Sequence, residues 1–168
     1  MTTMQEAFNK LKQDKVFQVW KEENKDSYLA HVFFETSNGD ITYQVGYCNP
    51  DQTITTFIVT PDKISVTKPQ EALKRPDTKI KSLTLEEVKT TLGEALETAT
   101  SCQQEHYPNH KPLKKFIILQ NLDQGQVYNI TYVTQSMDTL NIKISAKDNS
   151  VVEHNTTQLV NFTKGGKQ

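Results

Sequence analysis

Cysteine is scarce: Cys48 and Cys102 are the two in a chain of 168 residues. They read as free thiols in a reducing compartment; a Cys48–Cys102 bridge would need close approach of the two halves of the chain and an oxidising setting. Long apolar runs are missing as well. No stretch approaches the roughly 18 apolar residues of a membrane span. Met1 to Lys15 is polar with a helical pattern, and lacks the apolar centre of a signal peptide. The chain as given is therefore expected in the cytoplasm, or outside it if a leader has been removed.

Charge of one sign is not in excess. Nineteen basic residues stand against twenty acidic ones, with 10 against 11 up to residue 80 and 9 against 9 after it. Neither half has the basic surplus that neutralises phosphates, so nucleic acid is not an expected partner. The six glycines are scattered, only Gly165 and Gly166 being adjacent, and neither a phosphate loop nor a Gly-x-Ser-x-Gly elbow occurs. No cofactor is implied.

What is present is sheet-forming sequence punctuated by two helix starts. Apolar content of 35% is low, but Thr, Val, Ile, Tyr and Phe are well represented, as in sheets with one wet face. Thr3 with Glu6 forms a capping box followed by Met4, Ala7, Phe8 and Leu11 at helical spacing, predicting a short helix to about Asp14. Thr84 with Glu87 forms another, flanked by Leu83 and Val88 as a hydrophobic staple. The stripe Leu85, Val88, Leu92, Ala95, Leu96, Ala99 and Cys102 carries that helix to about His106. Tyr107-Pro108-Asn109 ends it.

Strand patterns follow each helix. In the first half they cover Lys15–Glu22, Ser27–Thr36, Asp40–Cys48 and Thr53–Thr60, with Asn38-Gly39 as a type I′ hairpin turn. In the second they cover Lys114–Gln120, Gln126–Gln135, Thr139–Ala146 and Val151–His154, with Gln158–Phe162 as an extension. Between the halves, residues 61–82 carry Pro61, Pro69 and Pro76 and read as a solvated basic linker with a short strand at Lys63–Thr67. The expected fold is α+β: two tandem units, 1–60 and 83–163, each one helix packed on a four-stranded antiparallel meander, with a disordered tail at 164–168. A single mixed α+β domain is the alternative.

The helix opening Leu83-Thr84-Leu85-Glu86-Glu87-Val88, the aromatic strand Val127-Tyr128-Asn129-Ile130-Thr131-Tyr132 and the closing hairpin Ile144 to Val152 resemble the PepSY family, and more loosely the cystatin-like fold. The resemblance covers about Lys81 to Asn155, and Asn149-Ser150 stands where such modules usually carry glycine in the closing turn. It implies a helix across a curved antiparallel sheet and a module that binds or restrains a partner protein, often a peptidase. Cystatin-type inhibition is not expected, since the nearest string to its Gln-x-Val-x-Gly loop, Gln44-Val45-Gly46, has the wrong spacing and lies in a strand.

Chemical constellations are few. Cys102 and His106, four apart on one helix face, are the best catalytic candidate, but Cys102 continues the apolar stripe and the negative end of a helix opposes thiolate formation. His106 and His110 share that spacing, yet Pro108 breaks the helix between them, so no metal site is expected. His31 and His154 read as lone strand residues, and the glutamates of the second helix as its solvated face. The aromatics Trp20, Tyr28, Tyr43 and Tyr47, with Phe34, are the candidate partner-binding residues: a first helix of barely three turns would leave part of this sheet face open, unless the halves pack there.

The expected function is that of a non-enzymatic module recognising a protein or peptide by a sheet face or edge strand, with homodimerisation through an open edge also available. A small-ligand carrier with a pocket between helix and sheet is the second reading, and a thiol enzyme built on Cys102 the third.

Overall fold

The computed structural model describes residues 3–72, 74 and 77–158. The expected strand extension beyond Gln158 and the tail at 164–168 lie outside the described residues. The chain divides into two compact units, Met1–Thr84 and Leu85–Gln168.

The first unit opens with α1 (Met4–Gln13), capped by the Thr3/Glu6 box: the Thr3 hydroxyl accepts from the Glu6 N–H at 3.2 Å and the Glu6 carboxylate accepts from the Thr3 N–H at 3.1 Å. Its buried face is Ala7, Phe8 and Leu11. The next segment is a second helix, α2 (Lys15–Glu23), where a strand was expected. Asp14 caps it by accepting from the Phe17 N–H at 3.1 Å. The β-branched and aromatic residues Val16, Phe17, Val19 and Trp20 favour a strand, but the helix sends Val16 and Val19 to solvent, 57% and 56% exposed, and puts Phe17 and Trp20, three apart, on one face. Burial of those two rings outweighs the β-propensity of two exposed valines.

Strands β1 (Tyr28–Ser37), β2 (Asp40–Cys48) and β3 (Thr53–Val59) form an antiparallel meander. The β1–β2 turn is Asn38-Gly39, both residues left-handed at φ 52° and 86°, which is why that dipeptide signals a hairpin. Val32, Phe34, Tyr43, Val45, Tyr47, Phe57 and Val59 are buried. Lys10 ties α1 to the end of β3 by donating to the Thr60 and Pro61 carbonyls at 2.8 and 2.6 Å. The proline-rich stretch contributes β4 (Ile64–Val66) and β5 (Gln70–Glu71), both paired with β3. Ile80 packs on a cluster of Ala30, Cys48 and Ile54, and the Leu83 N–H donates to the Leu29 carbonyl at 2.8 Å.

In the second unit a single 3₁₀ turn (Leu85–Glu87) precedes α3 (Leu92–His106), which packs on a meander of β6 (Pro112–Leu122), β7 (Gly125–Thr134), β8 (Asp138–Ser145) and β9 (Val151–Gln158). The helix starts seven residues or so later than the Thr84/Glu87 box predicts. The Lys89 and Thr90 N–H groups both donate to the Ala146 carbonyl, at 2.8 and 2.9 Å, so they cannot join a helical ladder. A second box, Thr91/Glu94, then opens α3. Asn149, at φ 62°, takes the left-handed position in the turn before β9.

These findings overturn two tandem copies of one helix on a four-stranded meander. The described residues form nine strands and three α-helices, a predominantly antiparallel-sheet protein, with two helices and five strands in the first unit and one α-helix and four strands in the second. The reason is local to the first unit: α2 replaces the expected first strand, and β4 and β5 arise in the stretch read as linker.

Candidate functional site

The four aromatic residues singled out in the sequence fall in the first unit, mostly as core. Tyr43 and Tyr47 are buried, Trp20 and Tyr28 half-buried. Trp20 lies on α2, with ring centroids 5.5 Å from Tyr47 and 5.0 Å from Phe57, and Phe17 completes the cluster 5.1 Å from Phe57 in edge-to-face contact. Burial pushes the Tyr47 hydroxyl up to about 12. Tyr43 packs edge-to-face on Phe34 at 5.6 Å. Tyr28 stands apart from these rings: its hydroxyl donates to the Ile80 carbonyl at 2.6 Å and accepts from Gln52 Nε2 at 3.4 Å. So α2 covers the face that a short α1 was expected to leave open, and the set does not form one exposed surface.

The second unit assembles a chemically richer group. The buried face of α3, Ala95, Ala99, Cys102 and Gln103, turns toward the meander. Cys102 and His106, one turn apart, share a face, as the spacing predicts. The β8–β9 register pairs His154 with Ile142, and Ile142 is fully buried on the helix side, so His154 rises on that same side. Cys102 Sγ and one ring nitrogen each of His106 and His154 then lie within 4.8 Å of one another. The two imidazoles stack, centroids 4.7 Å apart and 19° from parallel.

Tyr107, the C-cap of α3, orients the His154 ring. Its hydroxyl is 2.7 Å from His154 Nδ1. Tyr107 is itself fixed from below, because Gln103 Nε2 donates to the carbonyls of Tyr107 and His110 at 3.0 and 3.1 Å. His110 does not join the group; its Nε2 lies 3.5 Å from an Asp138 carboxylate oxygen. Cys102 forms the closed floor, 5% exposed, while both imidazoles are open to solvent. Burial first, and then the Glu105 carboxylate, push the Cys102 thiol above its ordinary range. That environment disfavours a free thiolate nucleophile.

Sequence reasoning found the Cys102–His106 spacing and missed His154. Its one sequence-level signal is the alternation of β9, which is faint in Val-Val-Glu-His-Asn-Thr-Thr-Gln, and only the strand register shows which helix it faces.

Among the described residues no helix is long and apolar enough to cross a membrane. No family model matches the chain, and no curated protein does, so the PepSY resemblance remains one of residue pattern. Among solved structures the chain is similar to a crystal structure from Clostridium difficile 630 named as that of a "putative lipoprotein", at 18% identity and a TM-score of 0.55, covering 88% of this chain and 97% of that one. At that identity the likeness is one of fold.

Proposed function

We propose that the chain is a non-enzymatic interaction module whose β9 edge takes up an extended segment of a partner protein or peptide. One observation carries the reading: among the described residues β9 is an unguarded edge. Among the described strands it pairs only with β8, and seven of its eight residues are exposed. Natural sheets blunt such edges with lysine, proline, very short strands or bulges. By contrast β4, at the far end of the first unit's meander, has three residues. β9 has no lysine and no proline, and its one carboxylate, Glu153, is held by Lys143 Nζ at 2.7 Å. The register shift opposite Lys143 and Ile144 touches only its first residues. From Glu153 to Thr157 the strand runs without a further register shift, so its outer main-chain groups are spaced to pair with an added strand.

The burial of Cys102, which disfavours its thiolate, supports a non-enzymatic reading. The name of the structural neighbour supports, for the setting, the extracytoplasmic one of the two settings considered from sequence.

Peptides selected from a random display library on the full chain test the proposal. They are expected to slow amide exchange in β9, to lose binding in an Asn155→Lys/Thr157→Lys double variant, and to keep it in Cys102→Ala. Selected peptides that bind the double variant as well as the parent, or that protect amides only in the first unit, would refute edge recognition. A concentration-dependent dimer abolished by the same two lysines would replace the partner peptide with a second copy.

A further inference from the structure

We propose that Cys102, His106 and His154 form a binding site for a divalent first-row transition-metal ion, with zinc(II) as the reference ion. This inference is independent of edge recognition by β9. One thiol and two imidazoles are a soft and borderline donor set of the kind that zinc and its neighbours favour over magnesium or calcium. With metal–sulfur and metal–nitrogen bonds near 2.3 and 2.0 Å, tetrahedral ligands stand roughly 3.3–3.6 Å apart. The three donor atoms lie within 4.8 Å of one another, so the closure required is at most about 1.5 Å. The two imidazoles supply that movement, because both are exposed, whereas the sulfur is fixed in the floor.

The surroundings are built for a ligating histidine. Metal-bound imidazoles typically give their second ring nitrogen to an oxygen, which fixes tautomer and orientation. Tyr107 Oη is 2.7 Å from His154 Nδ1, leaving Nε2 of His154 as the ligating atom. The Glu105 carboxylate, 3.9 Å from His106 Nε2, adds negative charge beside the ion. On binding, the S–H bond of Cys102 breaks, its proton passes to solvent, and a sulfur–metal bond forms with no redox change. Three protein ligands leave a fourth position to water. The bound ion would cross-link the C-terminal turn of α3 to β9, the strand with the least burial in its unit.

The full chain, freed of metal by chelation, is titrated with zinc by calorimetry and with cobalt(II) by absorbance. The expected result is one ion per chain and a thiolate-to-cobalt charge-transfer band, retained in Cys48→Ala and lost in Cys102→Ser. His106→Ala and His154→Ala should each weaken zinc by more than about 100-fold, and Tyr107→Phe by roughly 10-fold, as loss of an orienting partner does. Both histidines are exposed, so their variants keep the fold testable. Absence of saturable zinc binding, a band that survives Cys102→Ser, or parental affinity in His154→Ala would each overturn the site.

Discussion

Gly46→Ala tests how the His31 side of the first unit's meander is packed. Gly46 lies directly opposite His31 in the β1–β2 register. A Cβ added there would come within 2.5 Å of His31 Cε1 and Nε2, and within 3.0 Å of Nδ1. Carbon atoms in good contact stand about 3.5–4.0 Å apart, so the ring must retreat by about 1 Å or more from a half-buried seat. Gly46 needs no left-handed backbone, so the ring is the whole obstacle. Overpacking of this kind costs about 1–3 kcal/mol. Without the ring the sign reverses, since Ala in a strand is favoured over Gly by about 0.5–1 kcal/mol. Trp20, the sole tryptophan, belongs to the same unit and packs on Tyr47 and Phe57, so its fluorescence during urea unfolding reports this unit. The expected outcome is a lower midpoint for Gly46→Ala, and a neutral or raised one when Gly46→Ala is made in a His31→Ala background. An equal loss in both backgrounds would refute the argument, because the cost would then not arise from the ring.

Two further outcomes follow from particular groups. Burial holds the His31 imidazole below its ordinary pKa, so the unfolded chain takes up the proton first as pH falls through about 6.5. Stability should therefore decline from pH 7.5 toward pH 5, and His31→Gln should flatten that share of the slope in urea midpoints measured across the range. Thr91→Ala removes the hydroxyl that accepts from the Glu94 N–H at 3.2 Å and should cost about 1 kcal/mol. Faster amide exchange confined to the first turn of α3 is the signature to measure.

The elements legible in the sequence are those whose determinants are neighbours in the chain. The Thr3/Glu6 box and the Asn38-Gly39 turn each close within four residues, and both stand in the structure where the sequence puts them. The alternating strands β1, β2, β7 and β8 were equally readable, because burial on one face of a sheet imposes period two. The failures have distant causes. Two capping boxes compete to start α3, and the Ala146 carbonyl, more than fifty residues downstream, decides between them by engaging Lys89 and Thr90. Lys15–Glu23 became a helix because Phe17 and Trp20 found Tyr47 and Phe57, a pairing no window of local sequence contains. Of the candidate site, the Cys102–His106 spacing was visible, and His154 was not, since its partner helix is set by the β8–β9 register.

The two proposals use different parts of the same strand, and that makes them separable. Edge recognition depends on the main-chain groups of β9 that face away from β8, whereas the metal site uses one side chain that projects toward α3. Replacing His154 by alanine removes a ligand and leaves every backbone donor and acceptor of β9 in place. Lysines at 155 and 157 burden the edge, and neither position is a ligand. Binding of an ion should restrain β9 by tying it to the end of α3, and a restrained edge loses less conformational entropy when a partner strand is added. Zinc should therefore strengthen peptide capture, and do so only while His154 is present. Equal zinc enhancement in His154→Ala would show that the ion acts elsewhere.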